Sequence, residues 1–178
     1  MDFNRLKQKI EDAAKKAFLE LYERHKEEEI YAFALYSDEG AMTVCPSTNT
    51  VRFFDEYKYE DDWIYYKYEP AEWKYEMQGA DKGFDEISNE LYKEVLKISD
   101  DNEAFTTFQQ NLYKVCIEVL EKFKNENFFK QITGKDVFLI FTVSDYDFSK
   151  KEFENIIVRL NDNAYKTEYL DWIKTWKK

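Results

Sequence analysis

The chain is poor in the residues that build covalent, metal-bound or membrane-spanning structures. Its two cysteines, Cys45 and Cys116, are too few for a disulfide framework and indicate reduced thiols in a cytoplasmic protein. A single histidine, His25, excludes a zinc site built from histidine and cysteine ligands. No stretch approaches 18 uncharged apolar residues and no signal-peptide run opens the chain, so we expect neither a membrane span nor export.

Proline and glycine are also scarce, with two and four residues respectively. The chain has no linker rich in proline, glycine or serine, no repeat and no low-complexity tract. A chain of this length buries roughly 70% of its unfolded surface when it folds as one unit. We therefore expect a single domain over residues 1–178.

Positive charge is in deficit, because 26 lysines and arginines face 37 aspartates and glutamates, giving a formal net charge of −11. Such a field repels nucleic-acid phosphates and anionic lipid headgroups. The composition therefore argues against a nucleic-acid or membrane partner and favours a basic protein partner.

Apolar residues recur at helical spacing in several segments. The stripes predict five to six helices, which begin near Phe3, Phe53, Phe84, Phe105, Phe153 and Tyr165. Ser149 and Glu152 have the spacing of a capping box, which predicts a helix start at Ser149.

Four segments have the composition of strands. Residues 30–36 and 41–45 flank a turn and predict a hairpin, which Pro46 should end. Residues 63–68 are rich in rings and predict a third, aromatic strand. Residues 137–143 are apolar on both faces and predict a central strand. The expected fold is α+β, with one mainly antiparallel sheet of about four strands.

Residues 53–76 stand out because they hold ten aromatic rings and eight carboxylates against three lysines. Tyrosine and tryptophan beside carboxylates are typical of protein interfaces. The negative charge argues against a platform for stacking nucleic-acid bases. The alternative is that these rings are core. The residues predicted to bind a partner are Trp63, Tyr65, Glu72, Trp73 and Tyr75.

Two other features allow an enzymatic alternative. Cys45 ends a predicted strand and could act as a nucleophile if a base lowered its pKa, although a small buried residue also fits there. Asp145 and Asp147 could hold Mg²⁺, although turn chemistry explains them too. His25 lies in a charged helix end and is interpreted as solvated. No catalytic residue, metal site or cofactor is predicted.

Several segments carry a resemblance to a known family. The run 30–50 and the more distinctive run 68–76, Tyr-Glu-Pro-Ala-Glu-Trp-Lys-Tyr-Glu, resemble an uncharacterised bacterial family of small acidic domains of unknown function. The helices that follow and residues 138–145 extend the resemblance over nearly the whole chain. The family is loosely similar to the immunity proteins that neutralise toxins of competing bacteria. It brings no catalytic residues to carry over.

The hypothesis from sequence is a non-enzymatic protein-binding module of the immunity-protein type, which neutralises a basic toxin domain. The alternatives are a small enzyme that works at Cys45 or at Asp145 and Asp147, and a scaffold protein with no discrete site.

Overall fold

The computed structural model describes residues 1–144 and 148–176. This part of the chain contains eight α-helices, which are α1 (Phe3–His25), α2 (Val51–Tyr57), α3 (Trp63–Tyr68), α4 (Asp81–Ile98), α5 (Asn102–Asn125), α6 (Phe128–Thr133), α7 (Lys150–Leu160) and α8 (Ala164–Lys174). The strands are β1 (Ile30–Asp38), β2 (Val44–Thr50), β3 (Tyr75–Glu76) and β4 (Phe138–Ser144). Short 3₁₀ turns lie at Lys26–Glu28 and Pro70–Glu72. None of these helices combines the length and the apolar character that crossing a bilayer requires.

The strands form one mixed sheet in the order β3-β2-β1-β4. β1 pairs antiparallel with β2, placing Phe33 opposite Thr48, and parallel with β4, placing Phe33 opposite Leu139. The α+β class is confirmed, but the prediction of a mainly antiparallel sheet is wrong. The sheet is mixed because β4, which follows the helices α4 to α6, runs parallel to β1.

β4 lies at an edge of the sheet, so its predicted central position is wrong. It is apolar on both faces because helices cover both faces. One core contains the side chains of Phe33, Leu35, Leu139 and Phe141, with residues from α1, α4, α5 and α6. The other contains Ala32, Ala34, Phe138 and Ile140, with residues from α3, α7 and α8. α7 contributes to both cores, as expected of a helix that borders the edge strand.

A side chain pairs with the backbone of this edge strand. The Asn161 carboxamide accepts a hydrogen bond from the Leu139 N–H at 2.9 Å and donates one to the Leu139 carbonyl at 2.7 Å. Asn161 is 1% exposed. It pairs with the backbone N–H and carbonyl of β4 in the way that a fifth strand would. This blocks part of an edge that could otherwise pair with another chain.

The predicted third strand at residues 63–68 is wrong, because this run forms helix α3. Two carbonyls at its C-terminal end, which have no partner within the helix, accept hydrogen bonds from side chains of the sheet. The Tyr31 hydroxyl donates to the Lys67 carbonyl at 2.8 Å, and Asn49 Nδ2 donates to the Tyr66 carbonyl at 2.7 Å. These contacts outweigh the strand propensity of the rings. The actual third strand is β3, which pairs with β2.

The prediction that Pro46 ends the return strand is also wrong, because β2 continues through it to Thr50. The Pro46 carbonyl accepts from the Met77 N–H at 2.9 Å, so its backbone faces away from β1. The missing N–H of Pro46 therefore removes no hydrogen bond to β1. Residues 47–50, which follow the proline, are therefore buried strand.

The helical stripes are confirmed. Each predicted helix is present, and Ser149 and Glu152 form the predicted capping box at the start of α7. α6 was not predicted, because a helix of six residues, fewer than two turns, is too short for a helical period to be recognised.

Candidate functional site

Residues 53–76 fold into α2, α3, a 3₁₀ turn and β3, and the five predicted partner-binding residues separate by exposure. Tyr65 is 47% exposed and Glu72 is exposed, whereas Trp63 is half-buried against Phe54. Trp73 and Tyr75 are buried, at 3% and 6% exposure. The surface that a partner can touch directly therefore includes Trp63, Tyr65 and Glu72 but not the other two rings.

The buried members of the run 68–76 serve the fold. Trp73 packs in the core that α3, α7 and α8 share with the sheet. The Tyr75 hydroxyl donates to Glu28 Oε1 at 3.0 Å, and the Tyr36 hydroxyl donates to Glu76 at 2.9 Å. The most distinctive stretch of the sequence thus owes part of its pattern to core packing and buried hydrogen bonds.

Glu28 is the centre of a buried polar network that joins the end of α1 to β2 and β3. Its carboxylate accepts from Lys74 Nζ at 2.8 Å, from Thr50 Oγ1 at 3.2 Å and from Tyr75. Burial acts to raise the pKa of Glu28, but the hydrogen bonds from Lys74, Tyr75 and Thr50 and the charge of Lys74 outweigh it, so the pKa is lowered. The ionised carboxylate is therefore the form that stabilises this junction.

Replacing Glu28 with glutamine is expected to lower the free energy of unfolding by roughly 1–3 kcal/mol at pH 7. The negative charge is lost, and one acceptor oxygen becomes an NH₂ group that cannot accept from the donors facing it. A carboxyl group with a lowered pKa stabilises the fold above its ordinary pKa of 4.5 and loses that contribution as the pH falls below it. The difference in unfolding free energy between wild type and Glu28→Gln, measured by urea unfolding, should therefore become smaller as the pH falls from about 5 to about 3. This interval spans the ordinary pKa of glutamate.

Glu56→Gln is the matched control, because Glu56 is exposed and forms no salt bridge among the described residues. It should leave the unfolding free energy within about 0.5 kcal/mol of wild type at pH 7 and at pH 3. A gap for Glu28→Gln that stays constant from pH 7 to pH 3 would contradict the role assigned to the ionised carboxylate.

His25 belongs to the edge of the same network. Its ring stacks on Tyr75 with centroids 4.4 Å apart, and its Nδ1 lies 3.6 Å from Glu28 Oε1. The ring is half-buried, not solvated as the sequence suggested. His25, Glu27 and Glu28 place ligand atoms within 4.8 Å of one another. However, both Glu28 oxygens already accept hydrogen bonds, so a cation there would compete with Lys74, Thr50 and Tyr75 for them.

Lys67 lies in a cage of rings between α2, α3 and α8. Four ring centroids lie 5.3–5.8 Å from its Nζ, namely those of Phe54, Trp63, Tyr68 and Tyr165. The same nitrogen donates to both Glu168 oxygens, at 2.7 and 2.8 Å. The rings and the Glu168 carboxylate together stabilise the ammonium in a partly dehydrated site. The same contacts connect α3 to α8.

The three lysines of residues 53–76 are each engaged by a carboxylate. The pairs are Lys58 with Asp55, Lys67 with Glu168 and Lys74 with Glu28. Seven carboxylates of the segment form no salt bridge with the described residues. One of them, Glu76, accepts a hydrogen bond from the Tyr36 hydroxyl, and the other six are Glu56, Glu60, Asp61, Asp62, Glu69 and Glu72. These six are exposed except Glu69, which is half-buried. We call these six residues, with the exposed rings among them, the acidic surface.

Aromatic rings border the carboxylates at the turn between α2 and α3. Tyr57 and Tyr66 stack with centroids 4.1 Å apart and an interplanar angle of 17°. They line a shallow pocket of about 450 Å³ together with Glu60, Asp61 and Asp62. Tyr59, in the same turn, is 88% exposed. The acidic surface therefore combines uncompensated negative charge with ring surface.

Glu69 is a site residue that the sequence did not indicate. Burial, above all, raises its pKa to about 7, and the neighbouring charge of Glu72 adds to the effect. A carboxyl group in this range takes up protons near neutral pH. Sequence could not indicate it, because Glu69 owes its raised pKa to burial at the C-terminal end of α3, which only the fold determines.

The remaining candidates from sequence do not form an active site. Cys45 is buried, and burial together with the charges of Asp38 and Glu76 raises its pKa to about 11 despite a hydrogen bond with Thr43. An activated thiol needs the opposite shift. Cys116 is fully buried in α5. Asp145 and Asp147 lie outside the described residues.

Comparison with known proteins identifies the family of this chain. The family profile described as Domain of unknown function (DUF4303) matches residues 10–162. The chain belongs to this family. No curated protein and no solved structure matches it.

The region shared with the DUF4303 family runs from within α1 to the end of α7. It contains β1 to β4 and the whole acidic surface, whereas α8 lies beyond it. Membership of a family of unknown function agrees with the resemblance seen in the sequence. It assigns no activity, so the function has to be argued from the surface.

Proposed function

We propose that this DUF4303 protein is a non-enzymatic protein-binding module that uses its acidic surface to bind a basic partner. In its most specific form, the proposal is that the module acts as an immunity protein, which neutralises a toxin domain by covering a basic region of it. The bacterial setting and this role rest on the resemblance seen in the sequence and on charge complementarity.

One observation carries the proposal. The lysines of residues 53–76 are engaged by Asp55, Glu168 and Glu28, and the six carboxylates of the acidic surface have no basic partner among the described residues. Arg52, just before the segment, is exposed and also forms no salt bridge among the described residues. It is one charge against the five exposed carboxylates of the acidic surface, since the raised pKa of Glu69 leaves that group only partly ionised near pH 7. The net charge of −11 acts in the same direction.

The physical consequence is a fast and salt-sensitive encounter. Negative potential concentrated on one face attracts a basic protein and speeds association, an effect that added salt screens. Exposed rings such as Tyr59 and Tyr65 supply the contact area that holds such a complex once it has formed. An enzymatic role at Cys45 has less support, because the pKa of its thiol is raised.

The experiment is a quantitative pull-down from the native cells with the double variant Asp61→Lys/Asp62→Lys. The matched control is Asp85→Lys/Asp100→Lys, which changes the net charge equally at exposed positions of α4 and the turn after it. We expect wild type and control to retain one stoichiometric basic partner at low salt. The Asp61/Asp62 variant should bind it at least about tenfold more weakly.

Two results would overturn the proposal. One is a partner that all three proteins retain equally at every salt concentration. The other is the absence of any stoichiometric basic partner at low salt, with circular dichroism showing that the proteins are folded.

A further inference from the structure

We infer that the partner presents an arginine to this protein, and that its guanidinium lies over the stacked pair Tyr57 and Tyr66 while it pairs with carboxylates of the same pocket. This inference rests on the proposed function and narrows it. It names the place on the acidic surface where the partner docks and the side chain that the place selects.

The geometry of the pocket carries the inference. Tyr57 and Tyr66 are stacked and half-buried, and they share the pocket with Glu60, Asp61 and Asp62. None of these three carboxylates forms a salt bridge within the described chain. Two rings and three carboxylates without a salt bridge therefore border one volume of about 450 Å³, which is large enough for a side chain.

The chemistry of the pocket favours a guanidinium over an ammonium. A guanidinium is planar and weakly hydrated, so it can stack on a ring and donate two parallel hydrogen bonds to a carboxylate at the same time. An ammonium is strongly hydrated and compact, and it loses more hydration when it approaches a ring at an exposed site. A pocket that is open to water therefore gains more from arginine.

The cage of Lys67 shows the same combination inside the molecule. There an ammonium lies among four rings and against Glu168, with its side chain 14% exposed. An ammonium suits that site because the site is enclosed and the Glu168 carboxylate accepts hydrogen bonds from the ammonium at both of its oxygens. The pocket at Tyr57 and Tyr66 has rings and carboxylates but no lysine of its own that enters it, since Lys58 pairs with Asp55.

The test uses two labelled peptides that differ in one residue type, eight residues of alternating glycine and arginine and the same peptide with lysine. Fluorescence anisotropy at low salt should show that the folded wild-type protein binds the arginine peptide roughly three- to tenfold more tightly than the lysine peptide. Tyr57→Leu and Tyr66→Leu should remove this preference while keeping apolar volume. Tyr92→Leu, at a half-exposed ring on α4, should keep it.

Asp61→Asn/Asp62→Asn provides a second measurement that does not alter the rings. It should weaken the binding of both peptides and also reduce the ratio between them, because the arginine peptide additionally loses paired hydrogen bonds to a carboxylate. Equal binding of the two peptides, or a preference that survives Tyr57→Leu and Tyr66→Leu, overturns the guanidinium site. A lack of binding by either peptide also overturns it.

These outcomes are separable from failure of the proposed function, because that proposal is tested with the partner itself and with charge reversal. A partner lost by Asp61→Lys/Asp62→Lys but retained by Tyr57→Leu and Tyr66→Leu leaves the acidic surface in place and removes the arginine site. A partner retained by all variants removes both.

Discussion

Trp73→Ala is expected to lower the free energy of unfolding by about 3–5 kcal/mol, because it removes a large ring from a packed core. Trp73 is 3% exposed and packs among the residues that α3, α7 and α8 bury against the sheet. Equilibrium urea unfolding followed by circular dichroism measures the change. A loss of partner binding in this variant would then follow from unfolding.

Two comparisons make this expectation specific. Trp73→Phe should cost less than half as much, because it keeps a ring in place and removes an indole N–H that has no hydrogen-bond partner among the described residues. Tyr65→Ala removes an exposed ring that packs edge-on against Trp172, with the ring centroids 5.2 Å apart. It should lower the free energy of unfolding by about 1 kcal/mol or less. If Trp73→Ala unfolds no more easily than Tyr65→Ala, Trp73 is not a core residue.

Gly79→Ala is expected to be the second severe change, at about 3 kcal/mol or more. Gly79 has φ of +95°, a conformation that residues with a side chain rarely adopt. An added Cβ would also lie 2.9 Å from the backbone Cα and oxygen of Ala17 in α1. Neither atom belongs to a flexible side chain, so α1 itself would have to move. Thermal and urea unfolding both measure the loss.

Gly134→Ala separates the two causes. Gly134 ends α6 with φ of +74°, but an added Cβ would meet nothing within 4 Å. It should cost only the conformational term, about 1–2 kcal/mol. Equal losses for Gly79→Ala and Gly134→Ala would mean that the close approach to Ala17 contributes nothing.

The helices could be predicted from sequence because an amphipathic stripe is a local pattern. Phe84, Ile87, Leu91 and Val95 repeat at helical spacing whatever else the chain does, and they are buried in α4. The segment 63–68 could not be predicted in this way. Its rings favour a strand locally, and the donors that fix it as a helix, Tyr31 and Asn49, come from distant parts of the chain.

The candidate site was predicted in outline but not residue by residue. Composition marked residues 53–76 as acidic and rich in rings, and the acidic surface lies within this segment. Sequence could not tell that Trp73 and Tyr75 point inward, since tryptophan and tyrosine occur in cores and at interfaces alike. The stacking of Tyr57 on Tyr66 also joins two helices, so no periodicity reveals it.

The sequence by itself determined the excess of negative charge, the amphipathic helices and the absence of residues for a disulfide framework or a histidine–cysteine zinc site. These follow from counts and from local spacing. The tertiary structure alone decided which carboxylates are free to meet a partner. Lys67 pairs with Glu168 and Lys74 with Glu28, across separations of 101 and 46 residues. Charge counting within a segment treats such lysines as neutralising their neighbours, whereas the fold turns them toward carboxylates elsewhere and leaves the acidic surface uncompensated.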